Sequence, residues 1–197
     1  MSRVVIGVPV KPFGAAKRRL ADVLDSNARA RLGRSLAQRT VHAVADAGGE
    51  PLVLSADEQV TAWSRSIGVE VLLDEGSSLD RAAAAAVDHI RAHGAAWGIL
   101  HADLPILTGS DLGPALSHLR DGRAVIAPSS DGGTSLIGSS LDRFPFRYGP
   151  GSFHRHLALL GPEHPQVVIR PGLALDLDTP DDLRAASNTT EGAWLDN

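Results

Sequence analysis

Cysteine is absent from the 197-residue chain, which excludes disulfides, thiolate zinc sites and cysteine nucleophiles together. Aromatic residues make up only 4%, too few for the stacking surfaces that hold single-stranded nucleic acid, so nucleic acid is not expected as a partner. No run of eighteen apolar residues and no basic-then-apolar leader occurs, so neither membrane insertion nor secretion is expected. A cytoplasmic location is the expectation. Two common phosphate-binding signatures are missing as well: there is no Gly-x-x-x-x-Gly-Lys and no Gly-x-Gly-x-x-Gly.

What is present is unevenly charged. Through Thr40, nine basic residues face only Asp22 and Asp25; this gives +7 there and leaves −11 on the remainder of a chain whose net charge is −4. A basic lobe against an acidic remainder suits a polyanionic small molecule held with a divalent cation.

Hydrophobic residues make up 43% of the chain, enough for one domain with a buried core. Apolar or β-branched runs at 4–10, 51–55, 69–73, 97–101 and 123–128 predict strands. Between them, Asp25-Ser26 and Asp57 open helices, and residues 74–78 form a turn before an alanine-rich helix ending near Gly94. Thr108-x-x-Asp111 reads as a capping box. This alternation predicts a single three-layer α/β domain over 1–187 with parallel strands in its first half, followed by a flexible tail at 188–197. After the fifth strand the rhythm breaks, with shorter strands predicted at 135–139, 167–169 and 173–177.

The chain is organised around Trp97-Gly98-Ile99-Leu100-His101-Ala102-Asp103-Leu104-Pro105-Ile106-Leu107. Asp103 follows the fourth strand, and in open α/β sheets ligands bind beyond the carboxyl ends of the strands. Alone, Asp103 reads as the cap of a turn. A second acidic pair stands at 176 and 178, and if 173–177 is a strand both carboxylates share one face, roughly 6.5–7 Å apart. Asp103, Asp176 and Asp178 then become candidates for holding one divalent cation or two. Magnesium suits an all-carboxylate set that must also hold phosphates, and the lack of cysteine and of a histidine pair at ligand spacing argues against zinc. Asp181 and Asp182 read instead as first-turn residues of a helix capped by Thr179.

Three further groups are candidates for anion binding. Lys11, Lys17, Arg18 and Arg19 follow the first strand, as either a solvated basic turn or a phosphate site. Gly149-Pro150-Gly151-Ser152 precedes a helix over 153–160, with Ser152 as its N-cap and exposed N–H groups as a possible cradle. Thr134, after Gly132-Gly133, could serve the same anion. His154 and His156 lie at i, i+2 on that helix and do not face one metal.

Taken together, these residues resemble the guanylyltransferases of deazaflavin coenzyme F420 biosynthesis. The resemblance rests on five pieces in order: Pro9-Val10-Lys11-Pro12 with Ala16-Lys17-Arg18-Arg19-Leu20; His101-Ala102-Asp103-Leu104-Pro105; Asp131-Gly132-Gly133-Thr134; Gly149-Pro150-Gly151-Ser152-Phe153; and Pro171 through Pro180. It implies a Rossmann-like nucleotidyltransferase (GT-A-like) fold with a mostly parallel mixed sheet. It also implies GTP as donor, phosphoenolpyruvate, 2-phospholactate or phosphoglycerate as acceptor, and magnesium. Metal and catalysis would fall to Asp103, Asp176 and Asp178, acceptor binding to Thr134, Gly149 and Ser152, and nucleotide binding to Lys11, Lys17, Arg19 and Asp80. The family often has Leu-Asn where this chain has Leu79-Asp80, and Thr-Asn where it has Thr134-Ser135. A reactive diphosphate product would favour hand-off to the next pathway enzyme. The alternatives are a molybdenum-cofactor-type guanylyltransferase, a metal-dependent glycosyltransferase and a catalytically silent nucleotide-binding module.

Overall fold

The computed structural model describes residues 2–73 and 78–196. The predicted turn at 74–78 therefore lies outside the described residues except for Ser78, whose hydroxyl accepts from the Arg81 N–H and caps the next helix. The strands are β1 (Val4–Pro9), β2 (Glu50–Ser55), β3 (Glu70–Leu73), β4 (Ala96–Leu100), β5 (Val125–Pro128), β6 (Thr134–Ser139) and β7 (Gln166–Val167). The helices are α1 (Ser26–Asp46), α2 (Glu58–Ser66), α3 (Leu79–Ala92), α4 (Gly109–Arg120), α5 (Ser152–Leu160), α6 (Pro171–Ala174) and α7 (Pro180–Ser187).

The strands form one sheet in the order β3-β2-β1-β4-β6-β5-β7. Strands β3, β2, β1 and β4 run parallel, β6 is antiparallel to both its neighbours, and β7 is parallel to β5. This is the mixed, mostly parallel sheet that the resemblance implies. The order reverses between β1 and β4, and the crevice outside their carboxyl ends is where such sheets bind ligands. Because β6 runs backwards beside β4, its first residue, Thr134, lies next to the exit of β4; the His101 N–H donates to Ser135 O at 3.0 Å and extends the pairing.

Alternation along β1 divides the core. Val4, Ile6 and Val8 pack with Val41 and Val44 of α1 and Leu112 and Leu116 of α4. Val5 joins Ala83, Ala86 and Ile90 of α3, with Trp97, Phe144 and Phe146, on the other face. No helix among the described residues is long and apolar enough to cross a membrane. Past α7, the Trp194 indole N–H donates to Pro105 O at 3.0 Å, and the Arg39 guanidinium stands 4.8 Å from the Trp194 ring centroid.

One predicted strand is not a strand. Pro171 starts the single turn of α6, with Arg170 O accepting from the Leu173 and Ala174 N–H groups. Residues 175–179 follow as an extended segment outside the sheet. A sole backbone bond ties it to the β4 exit, from the Leu177 N–H to Asp103 O at 2.9 Å. Alternating Leu and Asp suggests a ladder, but fully buried Leu177 produces the same pattern without one.

Close approach across β4 and β6 depends on facing glycines, Gly98 and Gly138. A Cβ on Gly138 would stand 2.7 Å from the Trp97 carbonyl oxygen, and that backbone atom cannot yield as a side-chain tip can. Gly138→Ala is expected to lower unfolding free energy by about 1–3 kcal/mol. Urea titration at unchanged m-value measures this; an unshifted midpoint would contradict the tight β4–β6 contact.

Candidate active site

The loop from β1 to α1 is short of regular structure but firmly anchored. Leu20 is fully buried, and the Phe13 ring packs edge-on against Trp63 at 5.5 Å. Between these anchors Lys17 takes a left-handed backbone conformation (φ 52°). Its side chain, only 9% exposed, places Nζ 3.1 Å from Asp103 Oδ2 and 3.2 Å from Asp178 Oδ1. Arg19, largely exposed, approaches Asp178 Oδ2 at 3.4 Å. The helix N-terminus expected at 17–19 is a 3-10 turn (Arg18–Leu20) too short to bind an anion through its dipole. What Lys17 and Arg19 present to the crevice is their side chains.

Asp176 and Asp178 flank Leu177, whose N–H is held by Asp103 O, so a single hydrogen bond brings all three acidic positions to the β4 exit. Burial would push the Asp103 carboxyl up, but Lys17, followed by His101, holds it below the usual carboxylate range. The Asp176 carboxyl is pushed up to about 6, chiefly by burial and then by Asp131, with smaller contributions from Asp103 and Asp178. Asp131 is held low because its carboxylate accepts from the Ser129 hydroxyl and the Gly133 N–H.

As they stand, no three His, Asp or Glu side chains among the described residues converge closely enough to cage an ion, and Lys17 bridges Asp103 and Asp178. Even so, the residues fit a divalent cation. Asp103 Oδ1 is buried with no hydrogen-bond partner, and Asp176 is a carboxylate whose surroundings disfavour its charge. Both are hard oxygen donors. A histidine pair at helical ligand spacing does exist, contrary to the sequence reading. His89 and His93 lie on and just past α3, ring centroids 4.8 Å apart, with Glu70 3.4 Å from His89. They stand at the amino end of β3, away from the crevice.

The acceptor candidates form a second, buried cluster. Thr134 Oγ1 lies 3.2 Å from Ser152 Oγ and 3.0 Å from His156 Nδ1. Ser152 is not the N-cap. Gly151 (φ 70°) occupies that position, and the serine hydroxyl turns inward to Thr134. The N–H cradle expected there is already engaged, because Ser152 N–H donates to Gly149 O and Phe153 N–H to Gly132 O. Gly149 itself adopts φ +106°, a conformation open to glycine.

Three side chains that the sequence reading did not link to this loop fix its shape. The Arg155 guanidinium donates to the carbonyls of Pro150, Arg147 and Gly149. His156 Nε2 accepts from the Arg147 N–H at 2.8 Å. Asp80 Oδ1, in the first turn of α3, accepts from the Tyr148 N–H at 2.8 Å. Asp80 thus touches the loop that carries Gly149. His101 lies between the two clusters, its ring 5.3 Å from Tyr148 and its Nε2 buried without a partner. Burial lowers its pKa, Asp103 opposes that, and Lys11 and Lys17 add to the lowering. The expected Thr179–Asp182 capping box is present and orients Asp178 by accepting its N–H at 3.0 Å.

Comparison with known proteins adds to this geometry. The family described as guanylyl transferase CofC-like matches residues 3–186. A phosphoenolpyruvate guanylyltransferase of Rubrobacter xylanophilus is 38% identical, over 89% of this chain and 89% of its own length. A 2-phospho-L-lactate guanylyltransferase of Methanothermobacter thermautotrophicus is 30% identical, over 89% of this chain and 80% of its own. A crystal structure from Desulfovibrio desulfuricans, described as that of a nucleotide-diphospho-sugar transferase, superposes with a TM-score of 0.82 at 20% identity, covering 100% of this chain and 95% of that one. At that identity the likeness concerns the fold.

The raised Asp176 carboxyl has a consequence for stability. Its folded-state pKa lies above the unfolded one, so above about pH 6 the fold carries a disfavoured charge, and below about pH 4 both states are protonated and the cost is gone. In a chelator, Asp176→Asn should therefore stabilise the protein at pH 8 by on the order of 1 kcal/mol, discounted for its half-buried position. The gain should vanish by pH 4. Urea titrations at the two pH values test this; a gain equal at both would contradict the assignment.

Proposed function

Since the chain belongs to the CofC-like guanylyl transferase family, we propose that it transfers GMP from GTP to phosphoenolpyruvate or 2-phospho-L-lactate, releasing pyrophosphate, in deazaflavin coenzyme F420 biosynthesis. The observation that carries this reading is the adjacency of two clusters across one crevice. One is a cationic and carboxylate group (Lys17, Arg19, Asp103, Asp176, Asp178), and the other is a buried hydroxyl pair (Thr134, Ser152) beside Gly149.

In the reaction, an oxygen of the acceptor phosphate attacks the α-phosphorus of GTP. The new P–O bond forms as the bond to the bridging oxygen of the β-phosphate breaks, and that oxygen leaves with pyrophosphate. The attacking group is already anionic near neutral pH, so a general base contributes little. The larger barrier is repulsion between two polyanions, together with their alignment. Lys17, Arg19 and Lys11 offset the negative charge of the triphosphate and of the departing pyrophosphate. Thr134, Gly149 and Ser152 hold the acceptor against the wall formed by β6 and α5. Asp103, Asp176 and Asp178 would hold magnesium, which supplies charge neutralisation and alignment at the reacting phosphates.

Lys17 serves both sets in turn: in the protein alone its ammonium balances Asp103 and Asp178, and with nucleotide present it turns to phosphate oxygens. Removing one such electrostatic contact typically costs about 10²–10³ in rate. Asp103→Asn and Asp178→Asn are each expected to lose at least that in kcat with unchanged circular dichroism. Lys17→Met should raise the KM for GTP more than that for the acceptor.

The direct test offers purified protein, magnesium and GTP with each phosphoacid separately, phosphoglycerate included, and reads pyrophosphate release with mass analysis of the product. A guanylyl adduct with one acceptor supports the reading. Turnover only with another nucleotide, or with a nucleotide sugar, moves the chain to the molybdenum-cofactor or glycosyltransferase alternatives. No turnover with any pair points to a silent binding module.

A further inference from the structure

The buried polar trio of Thr134, Ser152 and His156 allows its protons to be counted. His156 is fully buried and Thr134 and Ser152 are 1% exposed. His156 has the Arg147 N–H 2.8 Å from Nε2 and the Thr134 hydroxyl 3.0 Å from Nδ1. A backbone N–H can only donate, so Nε2 must present its lone pair, and the single proton of a neutral imidazole then resides on Nδ1. That proton is donated to Thr134 Oγ1. The remaining members are two hydroxyls with two protons, 3.2 Å apart and with no other partner among the described residues. One proton is used in the bond between them. The second is left over.

Had the histidine carried the opposite tautomer, Thr134 would donate to Nδ1 and Ser152 to Thr134, and no proton would remain. The tautomer set by Arg147 therefore decides whether this pair offers a donor or only lone pairs. Carboxylate and phosphate oxygens only accept, so a site for a phosphoacid needs the first arrangement.

We propose that His156 is a positioning residue of the acceptor site, its Nδ1–H ordering the Thr134 and Ser152 hydroxyls so that one proton is presented to an anionic oxygen of the acceptor. This rests on the guanylyl-transfer reading for the identity of the acceptor, but the proton order itself does not. The same imidazole, through Arg147, ties the pair to the loop bearing Gly149, so hydroxyls and loop are set in one geometry.

Two measurements test it. Nitrogen-15 NMR of the histidine rings at pH 7.5 is expected to show His156 protonated at Nδ1 and bare at Nε2; the reverse tautomer would overturn the proposal whatever the enzyme does. The second is kinetics with GTP, magnesium and phosphoenolpyruvate on two variants of opposite design. His156→Gln keeps an acceptor for the Arg147 N–H but no donor toward Thr134, and should raise the phosphoenolpyruvate KM about tenfold with the GTP KM within about twofold. His156→Asn keeps the donor toward Thr134 and should hold the phosphoenolpyruvate KM within about threefold of the unmodified protein. Parallel rises in both KM values, or an Asn variant no better than Gln, would overturn it as the mark of a purely structural histidine. If the unmodified protein forms no guanylyl adduct, the transfer reading fails, and the tautomer measurement alone decides the proton order.

Discussion

One ammonium group joins the parts of this site. Lys17 Nζ lies between Asp103 and Asp178, residues 86 and 161 positions away along the chain. It draws together the loop after β1, the exit of β4 and the segment before α7. These are the places where an open sheet with a strand-order reversal leaves its crevice. The arrangement has a cost, since a lysine at φ 52° occupies backbone space that favours glycine, typically by about 1–2 kcal/mol. Two charge-assisted contacts to a side chain that water scarcely reaches are worth more than that. The strain therefore persists where the charge pattern requires it.

The same ammonium sorts the carboxylates around it. Asp103 has a cation and is held below its ordinary range; Asp131 has a hydroxyl and an N–H and is held low as well. Asp176 has no cation and no hydroxyl, only a contact to its own backbone, and burial pushes it up. Of the acidic groups at the crevice its charge is the least compensated, and Asp103 Oδ1 is a carboxylate oxygen left buried without a bond. An added cation at these two positions corrects both deficits, which is the physical argument for a metal. The sequence reading reaches Asp103 from its place beyond the fourth strand, which holds, and Asp176 from a strand face shared with Asp178, which does not.

What was legible in the chain was local. Both capping boxes, Thr108 with Asp111 and Thr179 with Asp182, were readable because cap and partner are three residues apart and their chemistry is self-contained. The strand ending at Leu100 was equally readable, as was the position of Asp103 just beyond it. Residues 173–177 were not, because alternation reports which side chains are buried but not whether a neighbouring strand is there to pair with. Ser152 looked like a cap because serine before a helix usually is one; Gly151 took the position, and Thr134, 18 residues earlier, claimed the hydroxyl. Nothing in the spacing of His156, Arg155 or Asp80 announces that all three converge on residues 147–150.

That convergence bears on how donor and acceptor sides depend on one another. Asp80 belongs to the first turn of α3, on the side that the family resemblance gives to the nucleotide, yet its Oδ1 holds the Tyr148 N–H beside Gly149. The bond needs only an acceptor oxygen, which the amide of an asparagine would supply in the same place. Exchange between Asn and Asp at this position therefore keeps the bond to the Tyr148 N–H, while the second oxygen and its negative charge give way to an N–H2 donor. That charge is not idle, because Asp80 counteracts the burial that keeps His156 neutral. His156 remains well below its ordinary value despite it, at about 4, so the imidazole still has a bare Nε2 for Arg147 and a proton for Thr134 at neutral pH. Burial outweighs the Asp80 charge at His156, so the imidazole keeps its role beside Thr134 with either residue at position 80.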